Sequence, residues 1–136
     1  MPDRMLEREI TLLHNRVCYG VADPKRVLIL YALEKGSLCV NDLAEEVGMA
    51  QPAVSRHLRV LRERSLVKAE RRGPAIHYSL ADHRLIEAID LLRAVLSSQL
   101  AAERNLTRSI QGAPRRPSRP KASRARGAAE PARRSP

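Results

Sequence analysis

Two short helical segments separated by a tight glycine turn constrain the fold of this chain more than any other feature of its sequence. The segments run from about Asn41 to Val47 and from about Pro52 to Arg64, and each carries apolar residues at helical spacing. Gly48 lies between them, followed only by Met49, Ala50 and Gln51. A helix, a tight turn that contains glycine and a second helix together form the helix-turn-helix arrangement.

The second segment is predicted to have one apolar and one polar face. Val54, Leu58 and Leu61 are spaced so that all three lie on the same side of a helix. The opposite side is then polar and cationic, and it presents Ser55, Arg56 and Arg59, with Gln51 at its leading edge.

A short β-hairpin is predicted after the second segment. Its strands are Leu66 to Glu70 and Ile76 to Leu80, joined by the turn sequence Arg71-Arg72-Gly73-Pro74. A hairpin with two arginines at its tip is typical of a wing. The predicted fold class is therefore mainly α with a small β-hairpin wing (α+β), a winged helix-turn-helix.

Further helices are predicted on both sides of this region. The first spans about Met5 to Tyr19, and a second is capped by Asp23. The last runs from about His83 to Thr107 behind the cap Asp82 and carries a broad apolar face. Because a terminal helix with such a face needs a partner, we expect a symmetric dimer formed through the first and last helices.

Residues 112–136 differ in composition from the rest of the chain. They carry +7 of the formal net charge of +10, five of the nine prolines and no Leu, Ile, Val, Tyr or Met. Such a segment cannot bury enough apolar surface to offset its ordering entropy. We predict a DNA-binding and dimerisation domain over residues 1–111 and a disordered basic tail over residues 112–136.

Composition and motifs also argue against several classes of function. No stretch approaches the roughly 18 apolar residues that read as a membrane span, and the first residues lack an apolar secretory region. We therefore expect a soluble, cytoplasmic protein that does not interact with membranes. The sequence contains no glycine-rich phosphate loop, acid pair or recognisable nucleophile turn, so it is not predicted to be an enzyme.

Three stretches of the chain resemble the ArsR/SmtB family of bacterial winged-helix repressors. They are VADPKRVLILYAL, LCVNDLAEEVGMAQPAVSRHLRVLRERSLV and VKAERRGPAIHYSL, and the resemblance covers about residues 5 to 105. It implies a homodimer that occupies a palindromic double-stranded DNA operator and releases it when an effector binds. Ala50 departs from the family pattern, which usually has a capping Ser or Thr at this position.

The residue pattern independently suggests which side chains contact DNA. A recognition helix enters the major groove with its N-terminal residues leading, so Gln51, Ser55 and Arg56 are the candidates for base or near-base contacts. Arg59 is better placed for a phosphate, although any of these arginines can also be an ordinary solvated residue. In the wing, Arg71 and Arg72 suit the minor groove or flanking phosphates.

The metal sites of the family are not matched by this sequence. Sensors of arsenic and cadmium in the family carry C-x-C at the start of the third helix, where this chain has Cys39 and Asn41. Its zinc sensors begin their terminal-helix site with D-x-H, where this chain has Asp82 and then Arg84. No metal site and no cofactor are therefore predicted.

The two cysteines remain as candidate sensors. Cys39 and Cys18 can form a reactive pair, within or between chains, that responds to an oxidant, a persulfide or trivalent arsenic. Each can also be simply buried, since free cysteine is among the most buried residue types. The sequence thus predicts a repressor with an unidentified effector, and the alternative is a constitutive or architectural DNA-binding protein.

Overall fold

A computed structural model describes residues 3–112. Its helices are α1 (Arg4–Leu13), a π-helical turn (His14–Cys18), α2 (Pro24–Leu33), α3 (Val40–Val47), α4 (Gln51–Glu63) and α5 (Arg84–Gly112). Its strands are β1 (Leu38–Cys39), β2 (Val67–Arg72) and β3 (Ala75–Leu80). The chain divides into two compact units, one up to Leu91 and the other from Leu92 onwards. Apart from Gly112, the predicted basic tail lies outside the described residues.

Local sequence signals account for the ends of the helices. The Asp23 carboxylate accepts a hydrogen bond from the backbone N–H of Lys25 at 2.8 Å and caps α2. Asp82 accepts one from the N–H of Arg84 at 2.9 Å at the start of α5. Both predicted caps are therefore confirmed. Helix α3 ends at Gly48, whose φ of 68° lies in the left-handed region that glycine adopts without steric cost.

The core of the first unit lies between α2, α3, α4 and the sheet. Its largest fully buried side chains are Ile29, Leu30, Leu33, Leu43, Leu58, Leu61 and Val54. The apolar face predicted for the second helix-turn-helix segment is confirmed, because all three of its members are in this list. The buried residues at the start of α5, Ile86 and Ile89, complete the same core.

The sheet has one strand more than the sequence predicted. Strands β2 and β3 form the expected hairpin, with Val67 opposite Leu80 and Arg72 opposite Ala75. The additional strand β1 pairs with β3 in the antiparallel sense, which gives the order β1-β3-β2. Two residues are too few to carry a periodic signal, so only pairing with a distant strand reveals β1.

The sequence predicted one helix from about Met5 to Tyr19, but the α-helix ends at Leu13. Beyond Leu13 the chain forms a π-helical turn, in which the backbone N–H of Tyr19 donates to the carbonyl of His14. That bond spans five residues, whereas an α-helix would pair Tyr19 with Asn15. Apolar residues recur at helical spacing here, but this spacing does not distinguish the two bonding patterns.

Large apolar side chains on α1 and on the later part of α5 are exposed. Helix α1 has no buried residue. Its exposed apolar side chains are Met5, Leu6, Ile10, Leu12 and Leu13, and those of α5 from residue 91 onwards are Leu91, Leu92, Val95, Leu96, Leu100, Leu106 and Ile110. Within residues 3–112, no helix is long and apolar enough to cross a membrane.

Candidate nucleic-acid interface

Helix α4 turns a polar, basic face outward. Ala50, the residue before the helix, has extended backbone and makes no side-chain cap hydrogen bond, as expected for a side chain without oxygen. Because the apolar side of α4 packs into the core, its opposite side is exposed, and there lie the predicted DNA-contacting residues Gln51, Ser55, Arg56 and Arg59.

These side chains are not engaged elsewhere in the described part of the chain. Neither Gln51 nor Arg56 forms a side-chain hydrogen bond or ion pair within residues 3–112, and the same holds for Arg59. An amide can bind adenine and a guanidinium can bind guanine through two hydrogen bonds each. The early positions of Gln51 and Arg56 suit base edges, while Arg59, further along α4, suits a phosphate.

His57 lies at the edge of this face, close to the start of α2. Its side chain is half-buried. The pKa of Asp23 is lowered, chiefly by the hydrogen bond from the Lys25 N–H and also by the charges of His57 and Arg26. His57 therefore lies beside the cap of α2.

The wing differs from the prediction in where its arginines lie. Both were expected in the turn, but they are the last residues of β2, and only Gly73 and Pro74 connect the strands. Arg71 is paired with Ile76 and Arg72 with Ala75. Because side chains alternate along a strand, the two arginines point to opposite faces of the hairpin, and both are exposed.

Arg72 is held by neighbouring side chains, whereas Arg71 has no such bond within residues 3–112. The Arg72 guanidinium donates to Glu70 at 2.9 Å and to Ser37 Oγ at 3.3 Å. The hydrogen bond from Arg72, together with its charge, holds the pKa of Glu70 below its ordinary value. Arg71 is thus the more available of the two for a phosphate.

The candidate sensor cysteines lie in different surroundings. Both are free thiols; Cys18 is exposed in the π-helical turn, and Cys39 is half-buried at the junction of β1 and α3. Cys39 is the direct β-sheet partner of His77, so their side chains share one face of the sheet. The Nδ1 atom of His77 is buried and has no hydrogen-bond partner among the described residues.

No metal centre accompanies these groups in the described part of the chain. Residues 3–112 contain no group of three or more His, Cys, Asp or Glu side chains that could hold a metal ion. Asp82 is instead bound by Arg84, whose hydrogen bonds are the main cause of lowering the pKa of Asp82 to about 2.

The sequence prediction missed one cluster next to α4. Arg64, directly after the helix, donates to the backbone carbonyl of Asn15, and its guanidinium lies 4.1 Å from the centre of the Tyr19 ring. An arginine and an aromatic residue 45 positions apart give no signal in a single sequence.

Comparisons with known proteins place this domain among transcriptional regulators. The family described as "Bacterial regulatory protein, arsR family" matches residues 23–69. The HTH-type transcriptional regulator NmtR of Mycobacterium tuberculosis is 49% identical over 71 residues, which cover 52% of this chain and 59% of that protein. Alignments with the first curated relatives span 51 to 61% of the length of those proteins.

Two solved structures share the fold. NolR from Sinorhizobium fredii has a TM-score of 0.60 and 32% identity, and the match covers 70% of this chain and 95% of NolR. The homodimeric winged helix-turn-helix DNA-binding domain of a possible ArsR-family regulator from Mycobacterium bovis has a TM-score of 0.62 and 27% identity, with 74% of this chain and 91% of that domain covered. The winged helix-turn-helix predicted from sequence is confirmed, as is the expectation of a regulatory protein rather than an enzyme. The chain belongs to the arsR family of bacterial regulatory proteins.

Proposed function

We propose that this protein is a homodimeric, sequence-specific DNA-binding repressor that acts in the cytoplasm and whose operator binding is modulated by an effector. The observation that carries this proposal is the outer face of α4, where Gln51, Ser55 and Arg56 are exposed near the start of the helix. These are donors and acceptors suited to base edges, and they stand on a rigid helix rather than on a loop.

Basic residues around this face of α4 supply an attraction to DNA that does not depend on the base sequence. Arg59 on α4 and Arg71 on the wing are exposed and make no ion pair within residues 3–112. Contacts of this kind position a protein on the phosphate backbone and make its affinity fall with salt. Arg72 would add a further contact only after leaving Glu70 and Ser37.

A homodimer explains the exposed apolar side chains of α1 and of residues 91–110. A second copy would cover them, and a two-fold dimer presents two copies of α4, which matches a palindromic operator. The solved domain from Mycobacterium bovis is described as homodimeric, and this supports the same assembly here.

The proposed operator reading is tested by selecting duplexes from a randomised pool and comparing the selected duplex with a mixed-sequence duplex of equal length. Replacing Arg56 with Gln should weaken binding to the selected duplex by about 1 to 3 kcal/mol. The affinity for the mixed-sequence duplex should change less. Arg59→Gln is the matched control, and it should weaken binding to both duplexes by similar amounts. If the native protein binds both duplexes equally, it is an architectural protein instead.

For the effector, we propose chemistry at the thiols of Cys18 and Cys39. The exposure of Cys18 supports it, as does the pairing of Cys39 with His77, whose Nδ1 atom has no hydrogen-bond partner within residues 3–112. The test measures binding to the selected duplex with and without peroxide, persulfide or trivalent arsenic, for the native protein and for both single Ser variants and the double variant. A double variant that responds like the native protein would exclude thiol sensing and leave a constitutive repressor as the alternative.

A further inference from the structure

We propose that Arg64 is a positioning residue for DNA recognition, because it fixes the end of α4 to the π-helical turn that follows α1. This inference rests on the proposed function, since it assigns Arg64 a role in the operator reading carried out by α4. Arg64 itself need not touch DNA.

The π-helical turn makes the acceptor for this contact available. In an α-helix the carbonyl of Asn15 would accept the N–H of Tyr19. Here that N–H donates to the carbonyl of His14 instead, so the Asn15 carbonyl lacks this backbone donor. Arg64 Nη1 donates to it. The local change from α- to π-helix and the contact with α4 are therefore parts of one arrangement.

Two guanidinium groups contact Tyr19 and Gly20, the residues directly after the π-helical turn. Arg64 lies over the Tyr19 ring at 4.1 Å and Arg26 lies 5.8 Å from the same ring centre. Arg26 also donates from Nε to the carbonyl of Gly20 at 2.8 Å and from Nη2 to that of Tyr19 at 3.0 Å. The chain after the π-helical turn is thus tied both to α2 and to the end of α4.

The packing beneath this cluster leaves little room for movement. Gly20 is buried, and a Cβ atom added to it would lie 2.4 Å from Leu66 Cδ1. Leu66 is two residues beyond Arg64, and its N–H donates to the carbonyl of Leu61 at 2.9 Å, which closes the end of α4. The residues that follow the π-helical turn therefore pack closely against the residues that follow α4.

This connection matters because α1 has no buried residue of its own. The contacts of the π-helical turn and of the residues after it connect α1 to the helices of the same unit, α4 among them. If α1 lies in the dimer interface, Arg64 links that interface to the helix that reads DNA, and it sets the angle at which α4 meets the major groove.

The experiment compares Arg64→Gln and Tyr19→Leu with Arg62→Gln as a matched control. Arg62 is exposed at the same end of α4, and it makes no side-chain hydrogen bond or ion pair within residues 3–112. Its replacement therefore measures the loss of one positive charge alone. Affinities are measured for the selected duplex and for a mixed-sequence duplex of equal length, and thermal unfolding and the dimer Kd are recorded for each variant.

We expect Arg64→Gln and Tyr19→Leu each to weaken binding to the selected duplex about tenfold, which corresponds to about 1.4 kcal/mol. The double variant should be no weaker than Arg64→Gln alone, because Tyr19→Leu removes a contact that Arg64→Gln has already removed. Affinity for the mixed duplex should fall with Arg64→Gln only as far as with Arg62→Gln. Arg64→Lys should recover part of the loss, since an ammonium can still donate to the Asn15 carbonyl.

Two results would overturn this assignment. One is that Arg64→Gln lowers the affinity for both duplexes only as much as Arg62→Gln does. The other is that the effects of Arg64→Gln and Tyr19→Leu add fully. Either result would show that Arg64 contributes its charge to DNA binding and does not position α4. The uncharged Tyr19 variant keeps the test valid even if Arg64→Gln folds poorly. A native protein that bound the two duplexes equally would instead refute the proposed function, and the positioning role with it.

Discussion

Truncating the exposed apolar side chains of α5 is expected to dissociate the proposed dimer. Leu92 and Leu96 lie four residues apart and are therefore neighbours on one face of the helix. They are 65% and 53% exposed in the single chain. The perturbation is the double substitution of both leucines by alanine, which keeps a good helix former at each position.

The size of the effect follows from the exposed fractions. Full burial of a leucine side chain is worth about 1.5 to 3 kcal/mol. Only the exposed surface, 65% for Leu92 and 53% for Leu96, remains to be covered by a partner. The alanine that replaces each leucine keeps one methyl group. Each truncation therefore removes roughly 1 kcal/mol. A two-fold dimer contains both residues twice, so the total is about 4 kcal/mol, or about a thousandfold in the dimer Kd.

Sedimentation equilibrium measures the dimer Kd directly, and circular dichroism checks that the variant keeps its helices. Leu28→Ala is the matched control, because Leu28 on α2 is similarly exposed, at 55%, and lies outside α1 and α5. Its dimer Kd should change less than threefold. A change below tenfold in the double variant would refute the reasoning that α5 forms the interface, and so would an equal change in the control.

Three further substitutions or truncations test other features of the chain. Ser65 has a φ of 64°, so Ser65→Gly should raise the free energy of unfolding in urea by about 1 kcal/mol, and a decrease would show that no strain is relieved there. The lowered pKa of Asp82 means that its capping and its ion pair with Arg84 stabilise the fold above the unfolded pKa of 3.8 and are lost as the pH falls towards about 2. The melting temperature of Asp82→Ala should therefore lie below that of the native protein at pH 7 and approach it near pH 2, and a difference independent of pH would contradict the assignment. Removal of residues 112–136 should weaken binding to selected and mixed duplexes alike and reduce the salt dependence, and loss of preference for the selected duplex would show that this segment reads sequence.

The sequence by itself determined the elements that depend on local periodicity and local backbone preference. Val54, Leu58 and Leu61 recur at helical spacing and are buried, Gly48 takes the left-handed conformation between α3 and α4, and Asp23 and Asp82 cap the helices that follow them. Signals of this kind act within a few residues, so one sequence suffices to read them. They also identified the residues on the outer face of α4.

Only the tertiary structure decided which distant groups meet. Arg72 was predicted in the turn of the wing, but it lies at the end of β2 and donates to Ser37, 35 residues away, because β1 pairs beside the hairpin. The first helix changes to a π-helical turn where Arg64, 49 residues further on, binds the carbonyl that this turn leaves available. Spacing along the chain carries no information about such contacts, because they form only when the packed core brings remote segments together.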